Sequence, residues 1–343
     1  MKIDMKIKTY IGIFTIMVLL VAAKGDRPAY RVFNGKGHAA DYGDILKAAR
    51  NADVVFFGEN HTNPICHWLE LQLAKDLYEG KNGHLIIGAE MLERDNQLLL
   101  NEYISSMIRK KDFEAEAKLW PNYKTDYAPI VDFAAKKGLK FIATNIPRRY
   151  SAIVNLKGLE GLDSINALER GMMAPLPLKY NPELACYKKI GEMVAGSPMH
   201  MGENLPKAQA IKDATMAWFI LKNVNEGYVF FHINGSYHSD NHEGIVWYLK
   251  EYNKRNATEL KILTITAVDQ NDLDELEKDN LGKADFILCI PGDMTQTQEA
   301  SAIGIAMPPA GITPVTPMKD AKADTIKKAA PDSGSGGDDD DDD

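Results

Sequence analysis

Residues 53–80, DVVFFGENHTNPICHWLELQLAKDLYEG, determine the fold class. The first part, DVVFFG at 53–58, is a short apolar run that is typical of a strand buried on both faces of a parallel sheet. Residues 62–64 then supply a cap and a proline for the first turn of a helix, and Gly80 ends that helix. Apolar side chains recur along it at helical spacing: Ile65, Trp68, Leu69, Leu73 and Leu77. The stretch therefore predicts a buried strand followed by a helix.

The same alternation continues along the chain. Further strand-like runs are found at 84–90, 139–144, 228–233, 260–265 and 285–290. Helical patterns occupy 95–109 and 128–137. Repeated strand–helix–strand order predicts an α/β fold, with a mostly parallel sheet flanked by helices.

Residues 147–225 interrupt this pattern. The segment is mostly helical in character, and it is broken by five prolines: Pro175, Pro177, Pro182, Pro198 and Pro206. We interpret it as a helical insertion that covers one end of the sheet.

Composition excludes several classes of protein. The 343 residues carry 40 basic and 48 acidic side chains, a formal net charge of -8, which argues against a nucleic-acid partner. The three cysteines, Cys66, Cys186 and Cys289, cannot all pair and have no CxxC spacing, so a disulfide scaffold and a zinc ribbon are both disfavoured. The chain also lacks a GxSxG, Walker, GxGxxG or HExxH motif, which disfavours serine hydrolases, P-loop NTPases, Rossmann dehydrogenases and zincins.

The two ends of the chain differ from the body. Three lysines precede a short apolar run that ends at Ala23, which predicts a cleaved signal peptide at 1–23 and an exported protein of the periplasm or cell envelope. A retained membrane anchor is the alternative, and no cysteine near the cut offers a lipid attachment site. Residues 308–343 end in six aspartates and contain too few apolar side chains to fold, so we predict a disordered acidic tail. The folded body is then 24–307.

Polar side chains follow several of the predicted strands. Glu59 and His61 follow the first strand, Glu90 ends the second, and His238 follows the strand near 230. The carboxyl ends of parallel strands meet at one rim of a sheet, where ligands bind. Carboxylates and imidazoles can hold a divalent metal or exchange protons. We predict a site at this rim in which these four residues are metal ligands or, in an enzyme, the catalytic groups.

The rim residues lie in five short motifs that occur in a fixed order: GENH at 58–61, GAEM at 88–91, NIPR at 145–148, AQAIKDATMA at 208–217 and NGSYH at 234–238. In these motifs the sequence resembles the ChaN family of iron-regulated haem-binding proteins, within the wider Tiki and erythromycin-esterase-like superfamily, over about 40–290. The resemblance implies an α/β fold with a helical insertion and haem bound at a dimer interface. It also implies paired Glu and His positions at the rim, which enzymatic relatives use in hydrolysis.

Haem requires an axial ligand, apolar contacts and cations for its propionates. The segment Met199-His200-Met201 falls where the family has a His- and Met-bearing segment, so His200 is the first candidate ligand, although a cysteine expected there is absent. Tyr237 is the second candidate. The remaining predicted haem contacts are Arg148, Arg149, His61 and His238. The arginines could instead pair with the rim carboxylates, and we expect Asp213 to pair with one of them.

Two functions follow, and a third is open. The first is an exported haem-binding protein that serves haem or iron acquisition, with haem, a second copy of the chain and envelope uptake components as partners. The second is a hydrolase that depends on a divalent metal held by the rim carboxylates and imidazoles. In the third, the rim residues only satisfy one another in an envelope scaffold.

Overall fold

A computed structural model describes residues 27–196, 202–254 and 259–299. The predicted signal peptide, the acidic tail and the segment 199–201 lie outside these residues. The strands are β1 Arg31–Asn34, β2 Ala39–Ala40, β3 Val54–Glu59, β4 Leu85–Glu93, β5 Lys140–Asn145, β6 Val229–Gly235, β7 Ile262–Gln270 and β8 Phe286–Pro291. They form one eight-stranded sheet in the order β2-β1-β8-β7-β3-β6-β4-β5.

Ten α-helices are found within the described ranges: α1 Tyr42–Ala49, α2 Pro64–Gly80, α3 Gln97–Ile104, α4 Lys110–Glu116, α5 Ala128–Lys137, α6 Arg148–Lys157, α7 Ala167–Arg170, α8 Ala185–Gly196, α9 Leu205–Leu221 and α10 Ile245–Asn253. In none of the described segments is a helix both long and apolar enough to cross a membrane.

Strands β3 to β8 are mutually parallel, whereas β1 pairs antiparallel with both β8 and β2. The predicted α/β class with a mostly parallel sheet is confirmed. The edge pair β1–β2 was not predicted, because two strands of four and two residues give too little periodicity to recognise.

The run VVFF makes the first four positions of β3 apolar on both faces. Val55 and Phe57 pack into the core on one face of the sheet, while Val54 and Phe56 pack into the core on the other. All four side chains are at most 2% exposed. Burying a residue of this size stabilises the fold by roughly 1.5–3 kcal/mol, so both faces of β3 favour the central position that it occupies.

Helix α9 corrects the interpretation of the segment 147–225. It is the long helix of the connection between β5 and β6, and its side chains join a core with Val54, Phe56 and Phe230 of the sheet. The segment therefore covers one face of the sheet and not only an end. Part of what resembles an insertion is the ordinary crossover of a parallel sheet.

Helix α2 buries Leu69, Leu73 and Leu77 as predicted, but its buried face is placed differently at one position. Trp68, which the periodicity assigned to the buried stripe, is 51% exposed and packs beside Tyr30 with ring centroids 6.5 Å apart. Cys66, His67 and Glu70 are buried in its place. The buried face of α2 therefore includes two ionisable side chains.

Strand β4 carries an irregularity near its end. Ala89 pairs with Ala143 of β5, but the next paired residues are Glu93 and Asn145, so β4 advances further than its neighbour. Pairing of β4 with β6 stops at Ala89. Glu90 thus lies at the start of a bulge, where the regular ladder ends.

Candidate functional site

The ends of β3, β6 and β4 lie side by side, because these strands are neighbours in that order. Glu59, the last residue of β3, is in register with Gly235, the last residue of β6. A short turn from Ser236 to His238 follows β6. The predicted rim residues Glu59, His61, Glu90 and His238 are all at most 9% exposed.

Glu59 and His61 form a tight pair. Nδ1 of His61 lies 2.6 Å from Oε1 of Glu59, and the Tyr127 hydroxyl donates to the same oxygen at 2.7 Å. Burial opposes ionisation of Glu59, but the imidazoles of His67 and His61 outweigh it and hold its pKa well below the usual range. Glu59 is therefore a buried carboxylate and not a carboxylic acid.

Glu90, His238 and Asp213 form a second cluster. Nε2 of His238 lies 3.1 Å from Oε1 of Glu90, and Nδ1 lies 2.5 Å from Oδ1 of Asp213 on α9. Burial opposes protonation of His238, but the two carboxylates outweigh it and raise its pKa to about 10. The same ion pair overcomes burial at Glu90 and holds its pKa far below the ordinary value. At neutral pH His238 is an imidazolium between two carboxylates.

Gly235 joins the two clusters. Its amide donates to Oε2 of Glu90 at 2.8 Å, at the point where the ladder between β6 and β4 has ended. A Cβ on Gly235 would lie 2.6 Å from Nε2 of His61, so only glycine allows the imidazole to approach the strand end this closely. The predicted set of four is thus brought to one rim, as two separate pairs on either side of Gly235.

A third group of ionisable residues lies behind Glu59 and was not predicted. Nδ1 of His67 lies 3.2 Å from Oε2 of Glu59 and 3.4 Å from Oε2 of Glu70, and Nε2 lies 3.4 Å from Oδ2 of Asp126. Burial and the charge on Glu59 raise the pKa of Glu70 well above its usual value. In the described part of the chain, Glu59, His67 and Glu70 are the potential metal ligands whose atoms all lie within 4.8 Å of one another. They share only Glu59 with the predicted metal set.

Comparison with known proteins identifies the family. The family model described as "Haem-binding uptake, Tiki superfamily, ChaN" matches residues 45–249, more than half of the chain. The chain belongs to this family. The resemblance seen in the five motifs is confirmed.

One solved structure shares the fold of this chain. The ChaN protein of Campylobacter jejuni, described as showing cofacial haem binding, is similar with a TM-score of 0.59 and 17% identity, over 77% of this chain and 97% of that one. An erythromycin esterase, EreC, in its open conformation gives a TM-score of 0.45 and 10% identity, over 77% of this chain and 98% of that one. No curated protein sequence matches the chain.

The predicted haem contacts of the ChaN-type chain are found in different settings. Met199, His200 and Met201 lie outside the described residues. Tyr237 is 39% exposed, and its hydroxyl donates to the carbonyl of Cys186 on α8. The aromatic face of Tyr237 thus stands at the surface beside the helix that precedes the segment 199–201.

The two arginines pair with carboxylates that follow β4. Nε of Arg148 lies 3.4 Å from Oε1 of Glu93, and Nη1 of Arg149 lies 2.5 Å from Oδ2 of Asp95. Both arginine side chains remain well exposed, at 68% and 43%. They can therefore contact a ligand at the surface without leaving these pairs.

The imidazoles of His61 and His238 differ in their capacity to ligate iron. His61 has Nδ1 held by Glu59, while Nε2 forms no hydrogen bond with any described residue. Such an arrangement orients an imidazole for metal ligation through its second nitrogen. His238 has both nitrogens held by the carboxylates of Glu90 and Asp213, and its predicted contact with haem stays a prediction.

The prediction for Asp213 requires correction. It does not pair with a rim arginine; it accepts from His238 and from the Tyr187 hydroxyl, the latter at 2.6 Å. The three cysteines are buried and unpaired. Whether the four rim residues catalyse a reaction stays a prediction.

Proposed function

We propose that this protein is an exported haem-binding protein that serves haem or iron acquisition. The match of the ChaN family model to residues 45–249 is the observation that carries the proposal. The haem group needs an axial ligand, apolar contact and cations, and the described rim supplies a group of each kind. These are His61 with an unengaged Nε2, the exposed face of Tyr237, and the exposed guanidinium groups of Arg148 and Arg149.

His200 remains the first candidate axial ligand, and His61 is the alternative that the described geometry favours. When bound, haem supplies an iron atom that accepts a nitrogen or oxygen donor. The chain's own contribution is to orient that donor: Glu59 fixes the ring of His61 through Nδ1, and Gly235 gives it room. The arginines neutralise the propionates at the surface.

Titration of the purified full chain with haemin tests the proposal. We expect a saturable shift of the Soret band, and a loss of at least tenfold in affinity in either His200→Ala or His61→Ala, whichever removes the ligand. His84→Ala is the matched control, because His84 is exposed and its ring is only tilted against that of Tyr228; this variant should bind haemin like wild type. Absence of a Soret shift in the wild-type protein would refute haem binding.

The proposed pairing of Arg148 and Arg149 with the haem propionates is tested separately. Arg148→Gln and Arg149→Gln should each weaken haemin binding by about three- to tenfold, corresponding to roughly 1 kcal/mol for an exposed ion pair. The effect should diminish at high salt because these groups are exposed to solvent. A salt-independent affinity in both variants would contradict their role as propionate partners.

Export and dimerisation belong to the same proposal. We expect the mature protein to start at Lys24, which N-terminal sequencing of the exported fraction would show. We also expect haemin to favour a dimer, which light scattering with and without haemin would detect. A protein that retains residues 1–23 and stays in the cytoplasm would contradict the envelope assignment.

A further inference from the structure

Beneath the rim, Glu59 of β3 meets His67 and Glu70 of α2 in the protein interior. The three residues are 1%, 8% and 1% exposed. His67 and Glu70 are one helical turn apart, so α2 presents both to the end of β3. This group is separate from the pair of Glu90 and His238 and has no part in the proposed haem contacts apart from Glu59.

The hydrogen bonds around Glu59 leave one of its oxygens unused. Oε1 lies 2.6 Å from Nδ1 of His61 and accepts from the Tyr127 hydroxyl, while Oε2 has Nδ1 of His67 3.2 Å away but accepts no well-aligned hydrogen bond from any described residue. Oε1 of Glu70 is likewise buried without a partner. Buried carboxylate oxygens are normally satisfied, so two unsatisfied oxygens in one cluster indicate a missing cation or donor.

His67 is oriented as a metal-binding imidazole would be. Its Nε2 lies 3.2 Å from the carbonyl oxygen of His61 and 3.4 Å from Oδ2 of Asp126, two acceptors that favour a proton on that nitrogen. Nδ1 faces Oε2 of Glu59 and Oε2 of Glu70, so either a proton on Nδ1 or a cation must lie among these three atoms. A ring nitrogen bonded to a carboxylate or carbonyl on its far side is the usual support of a histidine ligand.

Asp126 acts as this support and not as a further ligand. Its Oδ2 already accepts from Asn122 and from the Thr297 hydroxyl, each at 2.6 Å. The neighbouring thiol of Cys66 is not part of the group of potential ligand atoms that lie within 4.8 Å of one another.

We propose that Glu59, His67 and Glu70 bind one divalent first-row transition metal ion. Their ligand atoms lie within 4.8 Å of one another, which suits metal–oxygen and metal–nitrogen bonds of roughly 2.0–2.2 Å. Two carboxylates and one imidazole match the harder ions of this series and zinc, and three protein ligands leave a coordination position open. The inference is independent of haem binding, since it uses a different face of Glu59.

The competing explanation is that His67 is an imidazolium that neutralises the carboxylates without a metal. Metal analysis separates the two. The full chain is stripped with a chelator, dialysed against Zn²⁺ or Mn²⁺, and measured by elemental mass spectrometry. We expect about one ion per wild-type chain and at least a tenfold loss of affinity in Glu70→Gln and in His67→Gln.

His238→Gln is the matched control, because it removes a buried imidazole held by carboxylates in the other cluster. It should retain the ion, and Glu70→Gln should retain the Soret shift with haemin. In thermal unfolding, Zn²⁺ should raise the Tm of wild type and of His238→Gln but not that of Glu70→Gln. The last measurement also shows whether each variant is folded.

Three results would overturn the proposal. Absence of tight metal uptake by the wild-type chain would leave the protonated His67 as the explanation of the cluster. Loss of the ion in His238→Gln with retention in Glu70→Gln would assign the metal to the rim. Weak uptake that is equal in wild type and Glu70→Gln would assign it to other groups, such as the six terminal aspartates, and would also overturn the proposal.

Discussion

Asp213 on α9 holds His238 in the turn after β6, with 2.5 Å between Oδ1 and Nδ1. This contact connects the face-covering helix to the rim of the sheet. Asp213→Asn removes the charge but keeps the shape, so it leaves a buried imidazolium with one carboxylate. We expect a loss of about 3 kcal/mol in the free energy of unfolding, to be measured by urea denaturation.

Glu183→Gln is the control for this prediction. Glu183 lies 3.9 Å from Lys188 with both side chains more than half exposed, so its loss should cost less than about 0.5 kcal/mol. Equal effects in the two variants would show that the Asp213–His238 contact contributes no more than a surface pair.

The pH dependence of stability should reveal the charge on His238. Its pKa is near 6.5 in the unfolded chain and about 10 in the folded protein, because Glu90 and Asp213 face it, and Lys212 is the nearby cation that acts on both carboxylates. A raised pKa means that folding stabilises the protonated form. The contribution is therefore complete below about pH 6.5 and declines as pH rises to about 10.

His238→Gln lacks this contribution. We expect the gap in unfolding free energy between wild type and His238→Gln to be about 3 kcal/mol at pH 6 and to shrink steadily up to pH 10. Denaturant unfolding at intervals across this range measures it. A gap that stays constant would indicate a neutral His238 in the folded protein.

Asp240 should behave in the opposite way to an ordinary surface aspartate. Burial raises its pKa to about 6, although Thr266 donates to it and two lysines lower the pKa. Because the folded pKa exceeds the unfolded one, stability is lost as pH rises through about 6. Asp240→Asn should be about 1 kcal/mol more stable than wild type at pH 8, and no more stable at pH 4.

Gly235 should tolerate no side chain. An added Cβ would lie 2.6 Å from Nε2 of His61, a ring that Glu59 holds in place. We expect Gly235→Ala to destabilise the protein by about 1–3 kcal/mol and to weaken haemin binding if His61 is the ligand. Thermal unfolding and the Soret titration measure the two effects.

Gly191 in α8 is the matched glycine. Of the described residues outside its own helix, a Cβ there would meet Pro206 alone, at 4.0 Å. Gly191→Ala should therefore stabilise the protein by about 0.5–1 kcal/mol through helix propensity. If Gly235→Ala were as benign as Gly191→Ala, the close approach of His61 to β6 would be disproved.

The sequence was sufficient for the sheet because each central strand is buried on both faces. A short, continuous apolar run such as VVFF lacks the apolar and polar faces of an amphipathic helix. The predicted bounds of β3 therefore agree with the structure to within one residue. The rim residues followed from the rule that strand ends converge. The edge strands and the packing of α9 depend on tertiary contacts with distant parts of the chain. The local sequence pattern does not predict such contacts.

The cluster behind Glu59 was missed for a related reason. His67 and Glu70 are polar residues on a helix, and such residues usually face water, so the stripe was drawn through Trp68. The face of the helix that carries His67 and Glu70 is instead buried against the end of β3. There the carboxylate of Glu59 lies 3.2 Å from His67. The spacing of three residues between His67 and Glu70 indicates that they share one face of a helix. It points to a cluster only once Glu59, at least eight residues away in the sequence, is known to face them.

The bulge in β4 has a consequence for how relatives of this protein are compared. Between Ala89 and Glu93 the strand advances four positions while β5 advances two, and pairing of β4 with β6 stops at Ala89, where the Gly235 amide donates to the Glu90 carboxylate. A relative that had lost the two extra residues could retain a glutamate at the aligned position, yet a regular ladder would pair that amide with the backbone of β4 and not with the carboxylate. Conservation of this glutamate in a sequence alignment therefore does not establish that its carboxylate has the same position in the structure.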